Sequence, residues 1–128
     1  MSAITEDIKT MLVSELGYVF ADNLHIGKQP DEPSNCVTLY DTGNSPIPDL
    51  CKDIVESGSI QIRVRGNDYP TGSSSAQEIV DQLNARSNET INGNFYLSII
   101  VANGPVLLEY DHKNRVQFVI NLEILRRN

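Results

Sequence analysis

Tryptophan is absent from the chain, and aromatic residues fill only 6% of its 128 positions, so a core has to be built from Ile, Leu and Val. The residues that make metal sites and nucleophile–base pairs are also scarce: two cysteines, Cys36 and Cys51, and two histidines, His25 and His112. Neither cysteine belongs to a CxxC pair, and the four together lack the local spacing of a zinc site. No apolar run approaches the ~20 residues of a membrane-spanning helix. Glu6 and Asp7 stand where a secretion signal would have a basic start and an apolar stretch. The expectation is a soluble protein that stays in the cytosol where it is made, with no membrane partner and with both cysteines as free thiols.

Local catalytic motifs are missing as well. There is no P-loop, G-x-G-x-x-G turn, H-E-x-x-H helix or EF-hand loop, and no G-x-S-x-G nucleophile elbow. His25 ends a short strand-like run and His112 sits in a turn, where a histidine is ordinarily solvated. The acid pairs Glu6/Asp7 and Asp31/Glu32 are neighbours in sequence at a helix start and in a loop, which suits solvated surface better than acid–base work. Asn88-Glu89-Thr90 matches a glycosylation pattern, but without a secretion signal it meets no such machinery. The reading is a non-enzyme with no cofactor and no metal, while scattered residues remain able to assemble a site that no motif announces.

What is present is the composition of one ordinary globular domain over residues 1–128: 40% hydrophobic and 21% charged. The net charge of −7 is unevenly spread. Residues 1–58 hold ten acids and three lysines, whereas residues 59–128 hold seven acids and seven bases. An acidic first half disfavours a nucleic-acid-binding role, because a phosphate backbone would be repelled. The bases of the second half include two pairs, Arg63/Arg65 and Arg126/Arg127, readable either as solvated strand edges or as contact surfaces for an acidic neighbour.

Periodicity supplies the elements. Ile4, Ile8, Leu12 and Leu16, broadened by Met11, predict an amphipathic helix over residues 2–16, capped by Ser2 or Thr5 and ended by Gly17. A short strand is predicted at 23–26, a loop at 28–35 punctuated by Pro30, Pro33 and Asn35, and an alternating strand at 36–40. Residues 41–57, with Gly43, Pro46 and Pro48, read as a long loop of the kind that is often functional. Residues 59–66 give the clearest strand, with Ile60, Ile62 and Val64 on one face and Gln61, Arg63 and Arg65 on the other. Ser75 and Glu78 have capping-box spacing, which places a second helix at about 74–88 with Ala76, Ile79, Val80 and Leu83 inward. A meander of strands at 94–101, 106–111 and 115–127 closes the chain, turning at 103–105 and 111–114. Its last strand carries apolar residues on both faces, as central or interface strands do. The order predicts an α+β fold, a mainly antiparallel sheet with two helices packed on one face.

The stretch Gly58-Ser59-Ile60-Gln61-Ile62-Arg63-Val64-Arg65-Gly66-Asn67-Asp68-Tyr69-Pro70, followed by a helix containing Ile79-Val80-Asp81-Gln82-Leu83, resembles the tail terminator (minor capsid or tail completion) proteins of long-tailed siphophages. So do residues 26–31, the strand at 35–42, and the closing Phe118-Val119-Ile120-Asn121-Leu122 with Arg126-Arg127, in the same order along nearly the whole chain. These motifs are structural, and it is their conjunction that carries the resemblance.

The resemblance implies a virion protein that forms a ring, usually a hexamer, on the head-proximal end of a finished tail tube. That ring stops tube polymerisation and offers a joining surface to the head. The implied partners are further copies of the chain, the tail tube protein and the head–tail connector or stopper protein, with genomic DNA only as passing cargo. The implied location is the neck region of the virion tail, reached from the host cytoplasm during assembly. On this reading Arg63 and Arg65 make subunit or tube contacts, Asp41, Asn44 and Asp49 lie on a loop that orders on assembly, and Arg126 and Arg127 are peripheral contacts. Two alternatives stay open: a head-completion or stopper protein of the neck, and a small ligand-binding domain or unrecognised enzyme, which would need one deep apolar pocket with convergent polar groups.

Overall fold

The computed structural model describes residues 3–43 and 55–127. Along them run α1 (Ile4–Leu16), β1 (Leu24–Ile26), β2 (Cys36–Gly43), β3 (Val55–Gly66), α2 (Tyr69–Leu83), β4 (Arg86–Ile91), β5 (Asn94–Tyr110) and β6 (Val116–Arg127). The strands form one sheet in the order β1-β2-β3-β6-β5-β4. β1 is parallel to β2 and every other pairing is antiparallel, so the sheet is mixed. A parallel pair needs the chain to cross back, and residues 27–35 make that crossing.

Alternation explains which face of the sheet holds the core. Leu39, Ile62 and Ile120 are register partners, as are Val37, Val64 and Phe118, and all six are buried. Against this face pack Ile8, Met11 and Leu12 of α1 and Ala76, Ile79 and Leu83 of α2, in one apolar cluster. Each such Ile or Leu contributes about 1.5–3 kcal/mol by leaving water. β6, which carries apolar residues on both faces, lies between β3 and β5, inside the sheet.

Several boundaries differ from those that periodicity predicts. Helix α1 is capped at Ala3 without a side-chain hydrogen bond, and Thr5 is buried inside it; Gly17, in the left-handed region at φ 77°, ends it as expected. Helix α2 starts at Tyr69, because Asp68 caps it by accepting from the Thr71 N–H at 2.9 Å and Pro70 suits its first turn. It stops at Leu83, so the expected segment 84–88 is not helical. Residues 86–91 instead form edge strand β4, whose polar sequence shows no apolar alternation. The turn that joins it to β5 is Asn92-Gly93, both at positive φ (52° and 81°), a tight hairpin turn.

The expected turn at 103–105 is absorbed into a single long β5, with register shifts on either side of Asn103. A Cβ on Gly104 would lie 2.5 Å from the Val119 carbonyl oxygen, so this glycine lets β5 stay against β6 there. Of the expected loop 41–57, residues 41–43 belong to β2 and 55–57 to β3. Its middle, residues 44–54, lies outside the described residues and includes Asn44, Asp49 and Cys51.

The end of β3 and the first turns of α2 touch through two glycines. A Cβ at Gly66 would lie 2.5 Å from both the Cα and N of Gly72, a collision with backbone. A Cβ at Gly72 would meet Val116 Cγ1 at 2.7 Å and the Phe118 ring at 3.2 Å, both side-chain atoms able to shift. Gly72→Ala also gains about 1 kcal/mol of helix propensity, offsetting part of the overpacking. Gly66→Ala is therefore expected to destabilise by about 3 kcal/mol and Gly72→Ala by no more than about 1.5 kcal/mol in denaturant unfolding. Equal effects would show that the two backbones are not held at this separation.

Candidate assembly surfaces

The described residues form open surface depressions. None of their His, Cys, Asp and Glu side chains gather in groups of three or more able to hold a metal ion. No helix among them is long and apolar enough to cross a membrane. His25 stands 2.9 Å from the Asp22 carbonyl oxygen at the surface, and the His112 side chain is 74% exposed. Cys36 is a buried free thiol, and burial pushes its pKa up against the pull of Arg65 and Arg115, which makes it a poor nucleophile. The depression between α1 and β4 is lined by an ion-pair network in which Arg86 joins Glu15 and Glu89.

The residues expected to make contacts are placed very differently from one another. Arg63 is half-buried on the helix-free face of the sheet, its Nε donating to Gln61 Oε1 at 2.9 Å and its guanidinium 5.3 Å from the centre of the Tyr40 ring. Arg127 is exposed on the same face, at the far end of the β3–β6 ladder, with its guanidinium 4.4 Å from the centre of the Phe95 ring. Asp41 is exposed at the end of β2, where its carboxylate accepts from the Gly43 N–H at 3.0 Å.

Arg65 and Arg126 are committed inside the chain, at 4% and 3% exposure. Arg65 donates to the carbonyl oxygens of Ser34 (3.1 Å), Asp31 (3.2 Å) and Pro33 (2.7 Å), clamping the 27–35 crossing onto the sheet. Arg126 points to the helix side, 3.4 Å from Asp7 and 2.8 Å from Glu56. The expected pairs thus split, each leaving one arginine at the surface. The reason is alternation in the case of Arg126, and a loop folded over the strand in the case of Arg65.

Arg115, which sequence patterning did not single out, is a third internal strut. It is 3% exposed, reaches the Asp31 carbonyl oxygen, and pairs with Asp111 at 2.7 Å. Burial acts against the Asp111 charge, but the N–H groups of Arg115 and Lys113 and the Arg115 guanidinium outweigh it and hold the carboxyl down at about 2.

Periodicity also gave no sign of two exposed apolar groups. One comprises Tyr69, Val106, Leu107, Leu108 and Tyr110, between 43% and 53% exposed. The other comprises Val13, Val19 and Phe20, between 39% and 55% exposed, around a groove of about 460 Å³ between α1 and the turn before β1.

The class defined so far is an α+β protein with a mixed sheet and two helices on one of its faces. The chain belongs to the bacteriophage tail terminator protein family, whose model matches residues 6–127. That family consists of structural virion proteins and not of enzymes. Among solved structures, a chain of the virion of the native gene transfer agent particle is similar in fold, with a TM-score of 0.68 at 10% identity over 98% of this chain and 96% of that one. A second solved chain matches with a TM-score of 0.55 at 11% identity, over 98% and 97%. No curated protein matches the sequence.

Two outcomes test the assignments of the charged residues. Arg65→Ala strips three carbonyls of a charged donor and is expected to cost about 3 kcal/mol, lowering the thermal midpoint by roughly 10 °C. Arg63→Ala should cost under about 1 kcal/mol. Similar losses at both positions would refute the division between strut and surface. Asp111 has a depressed pKa, so its contribution is complete above the ordinary Asp value near 3.9 and fades as pH falls toward about 2. Asp111→Asn should therefore lower the midpoint at neutral pH by an amount that shrinks between about pH 4 and pH 2. A deficit independent of pH would rule out ionisation as its source.

Proposed function

We propose that this chain is the terminator subunit of a long-tailed phage: copies form a ring, a hexamer, on the head-proximal end of the completed tail tube. The ring ends tube polymerisation and presents the surface to which the head's connector or stopper protein attaches. The observation that carries this reading is the family match over residues 6–127. The reading treats the whole chain, 1–128, as one such domain. Its location is the neck of the virion tail, reached from the host cytoplasm.

The surfaces support an assembly role. A ring is built from heterologous contacts, in which one side of each subunit meets a different side of the next. Exposed apolar groups at two separate places meet that need, whereas a lone soluble domain has reason to bury or lose them. In this reading Arg63, Arg127 and Asp41 are the outward members of the contact set, and Asn44 and Asp49, outside the described residues, belong to it as well. Arg65 and Arg126 support that set from within. DNA passes through without being held, which an acidic chain favours.

Deleting the gene in the phage that encodes it and measuring tails by electron microscopy tests the role. Abnormally long tails without heads are the expected outcome. Tails of normal length that fail to join filled heads would move the protein to the head side of the neck. Intact infectious particles would remove it from virion assembly.

A further inference from the structure

We propose that neighbouring copies of this chain meet head to tail across the sheet, the outer edge of β5 in one copy seated in the α1–β1 groove of the next. This rests on the ring reading above and supplies its two contact faces.

The register of the sheet places those faces. Leu24 of β1 pairs with Val37, Val37 with Val64, Val64 with Phe118 and Phe118 with Leu107 of β5. One lateral row thus crosses five strands, about 19 Å at the usual spacing between strands. At one end stand Leu107 and its exposed neighbours Val106, Leu108 and Tyr110. At the other, Phe20 bridges to Leu24 and, with Val13 and Val19, lines the groove. A shift of one copy along this row brings the first group of one molecule against the second group of its neighbour.

The β5 edge has the form of a surface awaiting cover. β4 pairs with β5 only as far as Ile99, and no described strand lies outside residues 106–110. That segment therefore exposes both its outer backbone groups and four large apolar side chains. Exposed apolar edges of this kind are ones that native proteins cover or blunt with charge.

Charge agrees with the pairing. Exposed Glu109 lies within the β5 segment. The groove carries Lys9, whose ammonium stands 4.6 Å from the centre of the Phe20 ring and 3.0 Å from Glu6. An acid on one face and a base on the other favour contact between the two faces over contact of either with itself. A two-fold contact between β5 edges would set Glu109 near its own copy and leave the groove bare. The head-to-tail contact covers both groups, and with a suitable rotation it closes into a ring.

Cross-linking in tails assembled in the phage tests the contact. The full chain carrying Val19→Cys and Leu108→Cys together is treated with a short bifunctional maleimide. The expected result is a ladder of covalent multimers at least about tenfold stronger than from either single variant, whose background from Cys36 and Cys51 is the same. Glu109→Lys or Lys9→Glu alone should weaken that ladder about fivefold, and the two together should restore it. No ladder from tails of normal, uniform length would overturn the contact while leaving the terminator role intact. Efficient linking by Leu108→Cys alone would overturn it in favour of a two-fold contact. A ladder obtained where tail length proves independent of this gene would support the contact and remove the terminator role instead.

Discussion

The fold is organised around one buried carboxylate. Asp7 lies in the first half of α1 with no solvent exposure. It accepts from the Tyr96 hydroxyl on β5, from Asn94 Nδ2 at 3.0 Å and from Asn92 Nδ2 at 2.9 Å, and Arg126 of β6 stands 3.4 Å away. An ionised carboxylate in an apolar interior costs several kcal/mol unless it is paired and hydrogen-bonded. Burial, aided by the carboxylate, pushes the Tyr96 hydroxyl well above its ordinary pKa, so that it remains a donor. Apolar packing alone would let α1 slide or turn by a fraction of a residue step at little cost. Asp7 removes that freedom, because a different register would strand its charge. It thereby fixes where Val13 and the chain leading to Phe20 emerge.

The same principle explains why charge was hard to read along the chain. Of the seven bases in residues 59–128, Arg65, Arg115 and Arg126 are almost fully buried and spent on internal carbonyls and carboxylates. One of these burials was legible. Val116, Phe118, Ile120, Leu122 and Ile124 mark the core face of β6, and continuing by two places reaches Arg126, so alternation alone sends it inward. Arg65 was not legible. It alternates correctly with Arg63 to the helix-free face, and nothing in its neighbours says that residues 31–34 will fold over it. Hydropathy assigns a residue to a face; what covers the face is a matter of tertiary structure.

Strong periodicity gave α1, β2, the centre of β3 and β6, and the division of faces in β3 and β6; in β2 Cys36, Val37, Thr38 and Leu39 are all buried, and Asp7 of α1, expected at the surface, is buried too. Misplacement occurred where local signals competed. The capping-box spacing at Ser75 and Glu78 outweighed the Asp68 cap with Pro70 behind it, although the latter pair is the better start, since it satisfies an N–H and fixes a backbone angle together. β4 went unseen because an edge strand exposed on both sides has no reason to alternate. Its one clear mark was Asn92-Gly93, a dipeptide that suits a two-residue hairpin. Gly104-Pro105 reads as a break, yet Pro is tolerated where a strand has no outer partner, and that is where it stands in β5.

That last point links the fold to the assembly reading. A strand interrupted by Gly and Pro, with its outer side uncovered, is a poor element for an isolated domain, and its sequence after the proline, Val-Leu-Leu-Glu-Tyr, is more apolar than any isolated edge requires. Among the described residues, the backbone at 106–108 is paired on the β6 side only. Periodicity cannot distinguish such a segment from a half-buried inner strand, because the residue types are the same and only the topology tells which side is open. The proposed contact surface was therefore hidden from periodicity for the reason that recommends it: it has the composition of a core without a core to enter. The charged residues that patterning favoured have the opposite character. Arg63 is half-buried and Arg127 exposed, each with its guanidinium beside an aromatic ring, and charged groups at a surface steer and orient an encounter more than they hold it. If copies associate, the strength of the contact comes from the apolar edges, and the arginines of the helix-free face bear on which partner is met and in what orientation.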